Sequence, residues 1–138
     1  MEEKVDFNLN ETAKDMYKEY ILELYRNPNN FGKLKKPTFE HKEYNPLCGD
    51  EIEISILIEN ECVKDINFRG KGCVLSIAAA SLITDKIKGM NIKDVLILNK
   101  DDLLNILQIP ITITRLKCIL LPLEAIKICL RKNGKSSS

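Results

Sequence analysis

The sequence predicts an α+β fold: a small antiparallel sheet of about three strands covered on one face by helices. Three observations predict it. Alternating β-branched runs crowd into residues 39–68, apolar residues at helical spacing occupy the flanking chain, and helix caps and glycine stops are gathered late. Strands grouped early and helices late suit a sheet with helices on one side. The chain has 138 residues, 44% hydrophobic and 30% charged. That is enough for one hydrophobic core without disulfide staples, and too apolar for a disordered chain.

Residues 1–10 are polar and without period, and are expected to be a disordered tail. From Glu11 a helical pattern begins, with Met16, Tyr17, Tyr20, Ile21, Leu24 and Tyr25 on one face. Asn27-Pro28-Asn29-Asn30 and Gly32 stop it. A basic connector, Lys33 to Pro37, follows; its lysines are expected to be solvated. Phe39 to Tyr44 can form a short strand, and His41, the single histidine, is expected on its surface. Ile52, Ile54, Ile56 and Ile58 alternate with Glu51, Glu53, Ser55 and Leu57, which predicts a strand with one buried face. Glu59-Asn60-Glu61 is a turn, and Val63, Ile66 and Phe68 form the return strand. Its alternation slips between Val63 and Ile66, which predicts a bulge.

After Phe68 the period changes. Arg69-Gly70-Lys71-Gly72 is a turn, and Cys73 to Lys88 reads as a helix closed by Gly89. Asn91 and Asn99 are N-caps for short helices at 92–98 and 100–107. Pro110 interrupts, and Thr112 and Thr114 lie in a segment expected to be extended. A last amphipathic helix is expected from about Cys118 to Lys132, and residues 133–138 as a disordered tail. One domain over 11–132 is therefore expected.

Charge excludes some functions. Lys and Arg number 21 against 20 Asp and Glu, so no electrostatic footprint for nucleic acid follows. No apolar run reaches the roughly 18 residues of a membrane span. The charged start lacks the apolar stretch of a secretory signal, so the cytoplasm is the expected compartment.

Cysteine is the informative residue. There are five, Cys48, Cys62, Cys73, Cys118 and Cys129, and an odd number in a reducing compartment argues against a disulfide framework. Cys62, at a hairpin edge, and Cys129, in an apolar pattern, are expected to be small hydrophobes. The other three share a context. Cys48 lies in the Pro/Gly turn Asn45-Pro46-Leu47-Cys48-Gly49-Asp50. Cys73 follows Gly70-Lys71-Gly72 at a helix start, and Cys118 ends Arg115-Leu116-Lys117-Cys118, also expected at a helix start. A helix N-terminus and nearby cations favour thiolate over thiol. Cys48 and Asp50, two apart, point to one side of an extended segment. Three thiolates and one carboxylate could make a four-ligand site, suited to zinc or iron–sulfur chemistry. The separations of 25 and 45 residues contain no Cys-x-x-Cys pair, and context alone leaves a shared site and scattered core cysteines both open.

At these residues the chain resembles the U-type iron–sulfur cluster assembly scaffold proteins, the IscU/SufU/NifU N-terminal family. The resemblance spans about Met16 to Lys132. It rests on Tyr25-Arg26-Asn27-Pro28-Asn29-Asn30-Phe31-Gly32, on Asn45 to Asp50, on Gly70 to Cys73 with Ser76-Ile77-Ala78-Ala79-Ala80-Ser81, and on Arg115 to Cys118. The resemblance implies one exposed site of Cys48, Asp50, Cys73 and Cys118 that binds iron or a 2Fe–2S cluster, with zinc as the alternative occupant. It implies a scaffold rather than an enzyme, whose partners are a pyridoxal-phosphate cysteine desulfurase that donates persulfide sulfur and the apoproteins that receive the cluster. In the zinc alternative the protein relays sulfur for the desulfurase, a sulfurtransferase activity. Cys118 is the expected persulfide acceptor, with Arg115 and Lys117 as auxiliary groups, and Asp50 is the expected labile ligand. Lys117 stands where Isc-type members have a histidine, and Arg115 to Cys118 follows the Suf-type pattern. The Suf-type insertion between the second and third cysteines is absent. So is the Isc-type Leu-Pro-Pro-Val-Lys segment, near which Ile109-Pro110-Ile111-Thr112 stands.

Overall fold

The computed structural model describes residues 19–46, 49–108, 111 and 113–136. Helix α1 (residues 19–26) precedes strands β1 (Phe39–Asn45), β2 (Asp50–Glu59) and β3 (Cys62–Lys71), and helices α2 (Val74–Ile87), α3 (Ile92–Leu96), α4 (Lys100–Leu107) and α5 (Ile113–Ser136) follow. The three strands form an antiparallel meander in the order β1-β2-β3. Helices α2 and α5 pack on each other, α2 on β3 and α5 on β1 and β2, as the α+β expectation requires.

Strand β2 is central, and its alternation sets the inner face: Ile52, Ile54 and Ile56 are fully buried, with Val63, Ile66 and Phe68 beside them on β3. Asn60 and Glu61 both have positive φ, the backbone of a tight primed hairpin turn, whose twist matches that of the strands. The expected irregularity is a bulge. Leu57 pairs with Asp65 but Ile58 with Val63, which leaves Lys64 as the extra residue.

Caps decide the helix starts. The Cys73 side chain accepts a hydrogen bond from the Ser76 N–H at the head of α2, Asn91 caps α3, and Asn99 forms a capping box with Asp102 on α4. The Asn29-Asn30 turn clamps α1 to α2: Asn29 N–H donates to Ser81 Oγ at 2.6 Å and Asn30 Nδ2 to Thr84 Oγ1 at 2.9 Å.

Four expectations are corrected. Helix α5 starts at Ile113 rather than Cys118 and runs to Ser136 rather than Lys132; Thr114 is therefore helical, while Thr112 lies outside the described residues. β-Branched residues lower helix propensity only slightly, and packing of the segment, with Leu116 against the core, outweighs that. Of the apolar face expected on α1, Met16 and Tyr17 lie outside the described residues, and the described part is narrower than expected. Ile21 and Leu24 are buried, but Tyr20 and Tyr25 are 47% and 42% exposed, since a tyrosine ring can lie along the surface with its hydroxyl in water. The His41 side chain is only 14% exposed, because it points to the same side of β1 as Phe39, which packs against the core. Cys62, expected as a small hydrophobe, is only half-buried at the start of β3, whereas Cys129 is fully buried. No helix among the described residues is long and apolar enough to cross a membrane.

Candidate metal centre

The register of the sheet builds one end of the centre. Asn45 of β1 lies opposite Asp50 of β2, and Lys71 at the end of β3 lies opposite Glu51. The chain leaving β3 therefore passes Asp50 before it enters α2. Gly70 permits this approach: its φ is +155°, and a Cβ there would lie 2.0 Å from the Glu51 carbonyl oxygen, so only glycine fits. Asp50 has the parity of Ile52, Ile54 and Ile56 and so faces the helices; it is 3% exposed. Its Oδ1 accepts from the Cys73 N–H at 3.2 Å, while its Oδ2 is buried with no hydrogen-bond partner.

Cys73, half-buried, is the N-cap of α2, and its Sγ accepts from Ser76 N–H at 3.3 Å. The fully buried Ser76 hydroxyl has no hydrogen-bond partner either. Helix α5 supplies Cys118. It lies on the stripe that continues through Ala125 and Cys129, both fully buried, at spacings of seven and eleven residues. Pro122, inside α5, lacks the N–H that would bond to the Cys118 carbonyl.

These elements bring one ligand atom each of Asp50, Cys73 and Cys118 within 4.8 Å of one another. A tetrahedral zinc with bonds of roughly 2.0–2.3 Å spaces its ligand atoms about 3.3–3.8 Å apart, so side-chain adjustments of about an ångström close this set on one ion. The unpartnered Oδ2 fits the same reading, because a buried carboxylate oxygen is costly until something charged or polar meets it. Two soft sulfurs and one hard oxygen suit zinc or iron and give one ligand more easily exchanged than the others.

Cys48 lies outside the described residues. The expectation of an exposed site is corrected: Asp50 and Cys118, 3% and 7% exposed, sit where the core ends. Cys118 is also not at a helix N-terminus, since α5 begins at Ile113; among the described cysteines, Cys73 holds that position. Arg115 and Lys117 are exposed on α5, and Lys117 does not hydrogen-bond Asp50, whose Oδ2 lacks a partner. Two grooves flank the centre. One runs from Tyr25 and Phe31 to Gly72; the other lies between Tyr44, Pro46, Lys117 and Glu124. The parity that buries Asp50 was already readable in the isoleucine alternation, and Ser76 could have been found from its place three residues after Cys73.

Comparison with known proteins agrees on one family. The family model described as the NifU-like N terminal domain matches residues 16–136. The zinc-dependent sulfurtransferase SufU of Bacillus subtilis is 35% identical over 96 residues, 70% of this chain and 63% of that protein, so this chain spans less than two thirds of its length. The iron-sulfur cluster assembly scaffold protein IscU 1 of Archaeoglobus fulgidus is 30% identical over 124 residues, 87% of this chain and 80% of that one. Among solved structures, the N-terminal NifU-like protein of Brucella abortus superposes with a TM-score of 0.70 at 20% identity, covering 89% of this chain and 97% of that one. At that identity the likeness is one of fold.

Proposed function

The chain belongs to the NifU-like N-terminal domain family, and we propose that it is an iron–sulfur cluster assembly scaffold whose cargo is held by Asp50, Cys73 and Cys118, with Cys48 as the fourth ligand. One observation carries this reading: two thiol sulfurs and a carboxylate oxygen lie within 4.8 Å of one another where the core ends. Scaffolding of this kind needs no turnover chemistry, so the protein is not an enzyme in this reading. Its substrates are iron and sulfur, and a 2Fe–2S cluster suits four ligands. Its partners are a pyridoxal-phosphate cysteine desulfurase and the apoproteins that take the cluster, and the reduced thiols at the centre suit work in the cytoplasm.

Sulfur enters by exchange. An acceptor thiolate attacks the outer sulfur of the desulfurase persulfide; the new S–S bond forms as the old one breaks, and the desulfurase thiolate leaves. Reduction of that sulfur to sulfide then takes two electrons from an external donor. We assign the acceptor role to Cys118, supported by the cations of Arg115 and Lys117 on the same helix. Cys73, at the head of α2, is the competing acceptor. Single Cys→Ser variants incubated with a desulfurase and cysteine separate the two: persulfide located by mass spectrometry disappears with Cys118→Ser if the assignment is right, and persists on Cys73 if it is wrong. Asp50, the hard ligand, is the one whose exchange lets the cluster leave.

A zinc-dependent sulfur relay is the second reading, favoured by the mixed sulfur and oxygen donor set, by the Arg115-Leu116-Lys117-Cys118 pattern and by the likeness to a zinc-dependent sulfurtransferase. Anaerobic reconstitution with iron, cysteine and a desulfurase decides between them. The scaffold reading expects a coloured species that passes to an added apoprotein; a colourless protein that keeps zinc and still accepts sulfur supports the relay.

A further inference from the structure

The two glycines of Gly70-Lys71-Gly72 do different work. Gly70 is demanded by the backbone, as described above. Gly72 is not: Gly32, Gly49, Gly70 and Gly89 have positive φ, and Gly72 does not, so no left-handed backbone demands glycine there. What distinguishes Gly72 is the space beside it. A Cβ at this position would lie 2.8 Å from Asp50 Cγ, 2.9 Å from Oδ1 and 3.1 Å from Asp50 Cβ. The first two contacts are closer than carbon and oxygen atoms tolerate, and they fall on the carboxylate itself.

We infer that Gly72 is a positioning residue for Asp50: the missing side chain is the slot in which the carboxylate lies, with Oδ1 on the Cys73 N–H and Oδ2 left to face a metal. The carboxylate has few ways to yield. It starts the central strand, whose backbone pairs with β1 on one side and β3 on the other, and it is 3% exposed. A methyl at 72 therefore turns the carboxylate off the Cys73 N–H and away from the two sulfurs. Lys71, beside it, is exposed, so its side chain takes no part in this packing. The inference rests on the reading of Asp50 as a ligand. Groups that orient a metal ligand are typically worth about 10–100-fold in metal affinity.

The test is a double-mutant cycle on zinc affinity. Reduced apo-protein competes with a chromogenic chelator for zinc in four forms: parent, Gly72→Ala, Asp50→Ala and the pair. Gly72→Ala is expected to weaken zinc by about tenfold or more in the parent and to add nothing once Asp50 is alanine, because only the Cβ contact then remains. Thermal unfolding of the apo-protein is expected to stay cooperative in all four. An affinity unchanged by Gly72→Ala, an equal loss in both backgrounds, or a loss of cooperative unfolding overturns the positioning role and leaves the ligand reading standing. If Asp50→Ala itself leaves zinc affinity unchanged, the ligand reading fails, and the positioning role with it.

Discussion

The inner face of the sheet and the candidate metal centre are two stretches of the same packing layer. Along β2 the inward positions read Ile56, Ile54, Ile52 and then Asp50, all 3% exposed or less. Along α5 one stripe reads Cys129, Ala125 and then Cys118, the last 7% exposed. In the middle of the layer each side chain is satisfied by its neighbours, since aliphatic groups ask only for contact. At its end the same positions carry a carboxylate and a thiol, and Asp50 Oδ2 is buried without a hydrogen-bond partner. The difference teaches that the candidate centre is a continuation of the core that ends in polar, ligand-type side chains, one of them with a carboxylate oxygen left unpartnered, all held in place by the same packing.

The comparison breaks most visibly at its apolar end. Ile54→Ala removes a fully buried side chain from the central strand and is expected to cost about 2–5 kcal/mol. Equilibrium unfolding in urea should show that loss equally with and without zinc, because the residue stabilises the layer and is not itself one of the proposed ligands. A loss confined to the zinc-bound form would mean that core and centre are not separable.

At the other end the sign reverses. Asp50→Ala removes a buried carboxylate that is only half satisfied, so the apo-protein is expected to gain about 1 kcal/mol at neutral pH. The same change should shrink the extra stability that zinc confers, read as the difference in midpoint with and without the metal. It should also lengthen the half-life of an assembled cluster in the presence of an acceptor apoprotein, since the hard ligand in a soft set exchanges most readily. Faster cluster loss in the variant would remove Asp50 from the labile-ligand role.

The outer face of the sheet gives the smallest effect. Glu53 and Arg69 face each other across β2 and β3, and the Arg69 hydrogen bond, helped by its charge and those of Lys33 and Lys42, holds the Glu53 carboxyl below its usual range. A lowered carboxylate pKa stabilises the fold above the ordinary value and ceases to do so as pH falls through the lowered one. Arg69→Ala is therefore expected to cost about 0.2–1 kcal/mol near neutral pH, with the difference from the parent vanishing in acid. A difference that grows in acid would reverse the sign assigned to this pair.

Much of this layout was legible in the residues. The isoleucine alternation located β2, and the slip between Val63 and Ile66 marked the bulge now centred on Lys64. Asn91 and Asn99 marked their helix starts. Asp50, Cys73 and Cys118 were all named as candidates, and the structure brings them together. The start of α5 was not legible, because Ile113 and Thr114 are weak helix formers on their own and the packing that recruits them is tertiary. That shift moved Cys118 from a helix end to a core stripe, and with it the site from the surface to the rim of the core. The slot at Gly72 was beyond sequence reasoning for a related reason. A glycine in a turn reads as flexibility, and only coordinates reveal that a carboxylate fills the space a side chain would take.

The central claim is that this incomplete end of the core is the seat of an iron–sulfur cargo. Its most direct measurement is the iron, acid-labile sulfide and zinc content of protein purified without oxygen, in the parent and in Cys73→Ser and Cys118→Ser. Iron and sulfide in matching amounts in the parent, lost in both variants, is the expected result. Iron and sulfide retained in both variants, or a parent that carries neither, would contradict it.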